Sequence, residues 1–156
     1  DPEAEALAAA VRDRAASRVR TLGVLYMVYG ALQVGMVAWS AYAQWAGDGQ
    51  RAIEDVRRQF PQFEEAFDQW APLLSDPWYL MAVHFLPFLL GVAAFASGVQ
   101  LRALRGRNLG MAVAVGLIAL FCVENCCCLL GIPLGIGGLV VLASGEAAVV
   151  MDRPGR

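Results

Sequence analysis

The chain has 156 residues, of which 58% are hydrophobic, and a mean hydropathy of +0.53. A soluble domain of this length would have to hide several uninterrupted apolar runs of membrane-spanning length, so the composition excludes an ordinary soluble protein. The net charge of −2 is uninformative by itself, but all twelve basic residues are arginines and they are unevenly distributed. The bias towards arginine, alanine and glycine is typical of a GC-rich bacterial genome.

Residues 1–21 predict a helix that begins at the N-terminus and runs into the membrane. Pro2, Glu3 and Glu5 suit a helix start, where carboxylates face the positive end of the macrodipole. No signal-peptide cleavage site precedes the first apolar run, so we expect residues 22–45 to be an uncleaved spanning helix. Its roughly 36 Å of helix suffices to cross a bilayer with some tilt.

Three features of the first span predict its neighbours. Gly23 and Gly30 lie two helical turns apart and could let another helix approach closely. Gln33 is polar and is expected to face another helix. Candidate anchors at the membrane interface are found among Tyr26, Tyr29, Trp39, Tyr42 and Trp45, especially the last three, which lie near the outer end.

Residues 46–77 differ in kind, since seven acidic residues stand there against three arginines. Apolar residues recur at alternating spacings of three and four, which predicts a helix with an apolar stripe. The stripe consists of Ile53, Val56, Phe60, Phe63, Phe67 and Trp70. Pro61 predicts a kink or two short helices. The stripe either lies on the protein's own bundle or the membrane surface, or forms a docking face for another subunit.

Three further spans follow. In the second, Gly91, Ala94 and Gly98 form a flat face for close helix packing. In the turn before the last span, Gly131 could take the left-handed conformation that ends a helix, and Pro133 could begin the next. Gly135 would then let the last two helices pack closely.

The arginines predict the orientation. Nine of the twelve lie on the N-terminal segment, the loop 102–108 and the tail, so the positive-inside rule places these parts in the cytoplasm. The predicted fold is all-α, a bundle of four transmembrane helices with both termini inside and an amphipathic helical outer segment between the first two. The predicted boundaries are a juxtamembrane helix 1–21, spans 22–45, 78–101, 109–130 and 133–151, an outer segment 46–77, a basic loop 102–108, an outer turn 131–133 and a tail 152–156.

Glu124 is the one acidic residue deep inside an apolar run, and His84 lies at a similar distance from the outer end of its span. Carboxylates at such depth face a bundle interior, a partner or water. We expect a buried polar pair of Glu124 and His84, joined by Asn125 or Gln33. The pair could fix helix register or form a proton or ion site, and Glu124 could instead reach outer water.

All four cysteines, Cys122, Cys126, Cys127 and Cys128, lie in one short stretch without a zinc-ligand spacing. Packing as small hydrophobic residues is the default interpretation. A disulfide on the outer side and a metal site with His84 and Glu124 are the alternatives. We predict no bound metal and no cofactor.

Residues 126–136 read Cys-Cys-Cys-Leu-Leu-Gly-Ile-Pro-Leu-Gly-Ile, and the apolar run after them closes at Glu146. This stretch resembles the C-terminal hairpin of small bacterial four-helix integral membrane proteins of uncharacterised function. In those proteins, a Gly-Ile-Pro-type turn that contains cysteine or proline leads into the last span. The resemblance implies a topology and carries no established activity or site.

One histidine and few buried polar groups assemble no catalytic constellation and no nucleic-acid patch. We therefore expect a non-catalytic accessory, assembly or scaffolding subunit of the bacterial inner membrane, which contacts lipid and either itself or a larger membrane complex. The alternative is a channel or transporter protomer in which Glu124 faces a polar path. A thiol-redox protein that uses Cys122 to Cys128 is a third hypothesis.

Overall fold

The computed structural model describes residues 1–46, 54–55, 57–63, 69, 77–119 and 128–151. In this part of the chain, the regular elements are helical, which confirms the all-α class. The elements are α1 (Pro2–Trp45), a turn of 3₁₀ helix (Pro61–Phe63), α2 (Pro77–Arg102), α3 (Arg107–Ala119), α4 (Cys128–Ala143) and α5 (Gly145–Met151).

Two helices within the described residues, α1 and α2, are each long and apolar enough to cross a membrane. A third span is counted if α4 and α5, which are bent by 71° relative to each other, form one broken span. The described part of α3 is apolar but has only 13 residues. This arrangement is compatible with an integral membrane protein. With 44 residues, α1 is about 66 Å long, or about twice the hydrocarbon thickness of a bilayer.

Glycines hold α1 against α2. A Cβ atom on Gly23 would lie 2.8 Å from the Gly98 carbonyl oxygen, and one on Gly30 would meet the Gly91 carbonyl oxygen. Gly23 is thus paired with the later glycine of α2 and Gly30 with the earlier one, so the two helices run antiparallel. Ala94, between the two α2 glycines, is fully buried. The predicted small-residue face therefore lies inside the chain, against α1.

The helices α3 and α4 form a second antiparallel pair. A Cβ atom on Gly135 would lie 2.8 Å from the Ala114 carbonyl oxygen, and Gly131 packs between Leu117 and Tyr29. The pair packs on the first one, since Gly138 of α4 contacts the Tyr26 hydroxyl. The residues of the shared core are Val19, Leu22, Tyr26, Tyr29, Leu90, Ala94, Leu101, Val113, Ala114, Leu117, Leu142, Ala147 and Met151.

The predicted outer turn at 131–133 is wrong. Helix α4 begins at Cys128, so Gly131 and Pro133 lie inside it, and the left-handed glycine among the described residues is Gly106. A proline has no N–H to donate to the carbonyl four residues earlier, and an apolar helix can tolerate the loss of this one hydrogen bond. Gly131 serves the packing of Tyr29 instead, with the Tyr29 hydroxyl 3.4 Å from its Cβ position.

The predicted continuous last span 133–151 is also wrong, because the helix breaks at Ser144. The Ser144 hydroxyl donates to the Val141 carbonyl over 2.7 Å and accepts from the Ala147 N–H over 3.3 Å. One side chain thus satisfies a free carbonyl at the end of α4 and caps the start of α5. The bend directs α5 onto the N-terminal part of α1, where Ala147 and Met151 are buried.

Candidate functional site

The predicted buried polar cluster is described in part. Gln33 and His84 lie in α1 and α2, whereas Glu124 and Asn125 lie outside the described residues. Measured from the contact of Gly30 with Gly91, His84 lies about one helical turn further along the bundle than Gln33, or about 6 Å. The fold therefore brings Gln33 and His84 towards the same end of the bundle without a hydrogen bond between them.

Gln33 and His84 belong to a longer series of polar side chains between the helices, which we name the polar row: Tyr26, Tyr29, Gln33, His84 and Ser97. The three members on α1 are spaced by three and four residues and so share one helix face. Ser97 precedes Gly98 and lies near the level of Gly23, at the other end of the row. The row extends about 20 Å along the bundle axis.

Four atoms of the polar row are buried and lack a hydrogen-bond partner in the described part of the chain. They are Tyr26 Oη, Gln33 Oε1, His84 Nε2 and Ser97 Oγ. A buried polar atom without a partner costs about 1–3 kcal/mol, so such a series suits a place where polar groups meet water or a polar ligand. Ser97 was not predicted from the sequence to be a buried polar residue.

The candidate interface anchors on α1 differ in their exposure. Tyr26 and Tyr29 are buried in the core and do not face lipid, because their hydroxyl ends lie against Gly138 and Gly131 of α4. Trp39 and Tyr42 are exposed, and their ring centroids lie 6.1 Å apart. An exposed aromatic pair near a helix end suits the membrane interface.

The aromatic stripe stays a prediction. Phe60 is exposed, and Pro61 begins the 3₁₀ turn that also contains Phe63. The remaining members, Ile53, Val56, Phe67 and Trp70, lie outside the described residues.

Three of the four cysteines, Cys122, Cys126 and Cys127, also lie outside the described residues. Cys128 is the first residue of α4. The disulfide and thiol hypotheses therefore stay predictions, since three of the four cysteines lie outside the described ranges.

A second candidate site lies at the N-terminal end of the bundle. Residues 2–20 of α1 together with α5 form a paired-helix extension, which we name the stalk. An apolar groove of about 560 Å³ runs along it, with Leu7, Val11 and Val149 among its lining residues. Their exposed fractions are 68%, 41% and 53%. A salt bridge between Arg18 and Glu146, with 3.8 Å between Nη1 and Oε2, joins the two helices.

Within the described ranges, no group of three or more His, Cys, Asp or Glu side chains could hold a metal ion. The geometry offers instead a polar row between the helices and an apolar groove on the stalk. No family model, curated protein or solved structure matches the chain. Its function therefore has to be inferred from its residues and their geometry.

Proposed function

We propose that the chain is a four-span protein of a bacterial inner membrane and acts as a non-catalytic accessory or assembly subunit of a larger membrane complex. Both termini and the loop 102–108 lie on the cytoplasmic side. The arginines of the stalk and those after α2 lie at the same end of the bundle, which supports this orientation through the positive-inside rule.

The apolar groove on the stalk carries the proposal. Residues 2–20 carry seven charged side chains and precede the apolar run, so the stalk stands in the aqueous phase. Exposed apolar side chains around a groove in water are typical of a protein–protein contact. The occupant that fits a groove between two helices is an amphipathic helix of another subunit, with its apolar side against Leu7, Val11 and Val149.

The small-residue face of α2 is already occupied within the chain. Gly91, Ala94 and Gly98 pack against α1 of the same chain, so this face is closed to another subunit. In the described part of the chain, the stalk groove and the exposed apolar sides of the membrane helices remain. Of these, only the groove lies beyond the apolar run, where lipid does not cover it.

Replacing both Leu7 and Val11 with glutamine is expected to release the partner and leave the chain folded. Both side chains are exposed, and glutamine is a good helix former, so the loss is confined to the groove. Native mass spectrometry of the full chain, purified from its own membrane in mild detergent, measures the stoichiometry. The wild-type chain should give a defined complex, and the double variant should give the isolated chain.

Ala9→Gln is the matched control, because Ala9 is exposed on the same helix but does not line the groove. The complex should persist in this variant. An isolated wild-type chain, or equal loss of the complex in the control, contradicts the proposal.

The buried atoms of the polar row favour a second candidate function, a channel or transporter protomer. In this role, polar side chains through the bundle replace the water shell of an ion or proton. Proteoliposomes that contain a pH-sensitive dye and carry an imposed potential should then show flux above that of empty vesicles. Gln33→Met should lower this flux severalfold, and Leu32→Met, at an exposed neighbour, should not. Flux equal to that of empty vesicles contradicts this second function.

A further inference from the structure

A basic cleft that adjoins the stalk groove opens where α1, the end of α2 and α5 meet, and Arg12, Val149 and Val150 line both. Its volume is about 860 Å³, and four arginines line it: Arg12, Arg20, Arg102 and Arg105. Asp13 is the acidic residue among the lining side chains. The cleft wall therefore carries a net charge of about +3 at neutral pH, since an arginine is always protonated in proteins.

The cleft crosses the level at which the apolar run begins. Its α1 wall extends from Arg12 to Val24, about 18 Å along the helix, and the apolar run starts at Leu22. Along α1 the lining passes from Arg12 and Arg20 to Thr21 and Val24, and Val149 and Val150 of α5 also line the cleft. A bilayer presents the same order of chemistry, with acyl chains on one side and phosphate-bearing headgroups on the other.

Two of the arginines are held by a turn with a fixed geometry. The Arg105 N–H donates to the Gln100 carbonyl and the Leu104 N–H to the Leu101 carbonyl, each over 2.9 Å. These two bonds form the Schellman motif, which ends a helix with one left-handed residue. That residue is Leu104, with φ at 55°.

A left-handed leucine is strained, because its Cβ atom lies too close to the following carbonyl oxygen. Glycine has no Cβ atom and adopts this conformation freely. Strained backbone is concentrated at binding sites, where it fixes the position of neighbouring side chains. Leu104 itself lines the cleft and packs against the core, so the strained turn places Arg105 at the cleft wall.

The four arginines of the cleft have no acidic partner within the described part of the chain. There, Arg12, Arg20, Arg102 and Arg105 form no salt bridge, and all four are exposed. Two other arginines at this end of the bundle do have partners: Arg18 pairs with Glu146, and Arg107 donates to the Leu142 carbonyl over 2.8 Å. The cleft arginines are therefore those that face an outside anion.

We propose that this cleft binds the phosphate-bearing headgroup of an anionic phospholipid from the cytoplasmic leaflet. Guanidinium groups match phosphate oxygens with paired hydrogen bonds, and basic pockets between membrane helices bind anionic headgroups on this side. The acyl chains follow the Val24 side of α1 into the bilayer. The inference rests on the membrane topology of the proposed function and extends it to a lipid ligand.

The test compares two lipids with the same acyl chains, phosphatidylglycerol and phosphatidylcholine, titrated onto the full chain in mild detergent and followed by native mass spectrometry. The wild-type chain should bind phosphatidylglycerol at least tenfold more tightly. Each arginine near an anionic surface contributes about 1 kcal/mol, so the double variant Arg102→Gln/Arg105→Gln should lose about 30-fold in affinity for phosphatidylglycerol.

Arg14→Gln is the charge control, because it removes an arginine of the stalk that does not line the cleft and, unlike Arg18, does not pair with Glu146. Its affinity for phosphatidylglycerol should change less than about threefold. Equal affinity for the two lipids, or an equal loss in the control, overturns the proposal. Displacement of the lipid by inorganic phosphate at similar concentration overturns the lipid assignment in favour of a soluble phosphate ligand.

The two proposals fail in distinguishable ways. Leu7 and Val11 line the stalk groove and not the cleft, so the Leu7→Gln/Val11→Gln variant should keep its affinity for phosphatidylglycerol. The Arg102→Gln/Arg105→Gln variant should in turn keep the partner complex. Far-UV circular dichroism should show equal helix content in the groove variant, the cleft variant and their two controls.

Discussion

Replacing Gly30 with leucine should force α1 away from α2 and give the largest loss of stability among single changes in this protein. A Cβ atom on Gly30 would meet the Gly91 carbonyl oxygen and would lie 2.7 Å from the Phe95 nitrogen. Both are backbone atoms, so no change of rotamer can relieve the contact. Overpacking of this kind costs about 1–3 kcal/mol or more, and the whole α1–α2 contact has to shift.

Gly35→Leu is the matched control, since Gly35 lies on the same helix, is exposed, and has no atom within 4 Å of its Cβ position. Leucine forms helix better than glycine by under about 1 kcal/mol, so this variant should be as stable as the wild type or slightly more so. Thermal unfolding in detergent, followed by circular dichroism, measures both. Equal unfolding temperatures for the two variants would show that α1 and α2 are not in close contact.

Replacing Arg107 with glutamine should also give a large loss of stability. The Arg107 Nε–H donates to the Leu142 carbonyl over 2.8 Å, and Leu142 lies in the last turn of α4, where the break at Ser144 leaves carbonyls without helical partners. A hydrogen bond from a charged group contributes about 1.5–3 kcal/mol to stability. The loss should therefore fall in this range, and it should loosen the start of α3 from the end of α4.

Arg105→Gln removes the same charge two residues away, at an exposed position in the basic cleft. Exposed substitutions of this kind change stability by less than about 0.5 kcal/mol. Denaturant titration in mixed micelles measures the free energy of unfolding of both variants. A loss in Arg105→Gln as large as that in Arg107→Gln would mean that net charge, and not the bond to Leu142, stabilises this end of the bundle.

The sequence was sufficient for those parts of the fold that depend on local repeats. Gly23 and Gly30 lie seven residues apart, as do Gly91 and Gly98, and these equal spacings let two antiparallel helices meet at both pairs. The start of α1 and both ends of α2 were also predicted closely, because charged residues and proline mark them. Such signals act within a few residues of the chain.

The sequence was insufficient where distant residues decide. Pro133 has the local character of a helix start, yet it lies inside α4. Ser144 has an ordinary local sequence, yet its hydroxyl bonds on both sides of the helix break. Arg107 bonds to a carbonyl 35 residues away, which no periodicity indicates.

The candidate sites were predictable to different degrees. Gln33 was singled out as a polar residue in an apolar run, and the same reasoning applied seven residues earlier would have found Tyr26 on the same face. The basic cleft could not be found in this way, because Arg12 and Arg20 are distant in sequence from Arg102 and Arg105. Only the packing of α1 against α2 brings them together.

The unbroken length of α1 has a mechanical consequence. The helix continues for 44 residues without a proline after Pro2. Its stalk part and its apolar part should therefore tilt together as one rigid body. A tilt of about 10° around the Gly23 contact displaces the first turn of the stalk by about 5 Å, given about 30 Å of helix between them. Since spanning helices tilt to match bilayer thickness, a thinner membrane would swing the stalk groove sideways by this distance. A change in bilayer thickness would thereby displace the stalk groove, the surface proposed to meet a partner subunit.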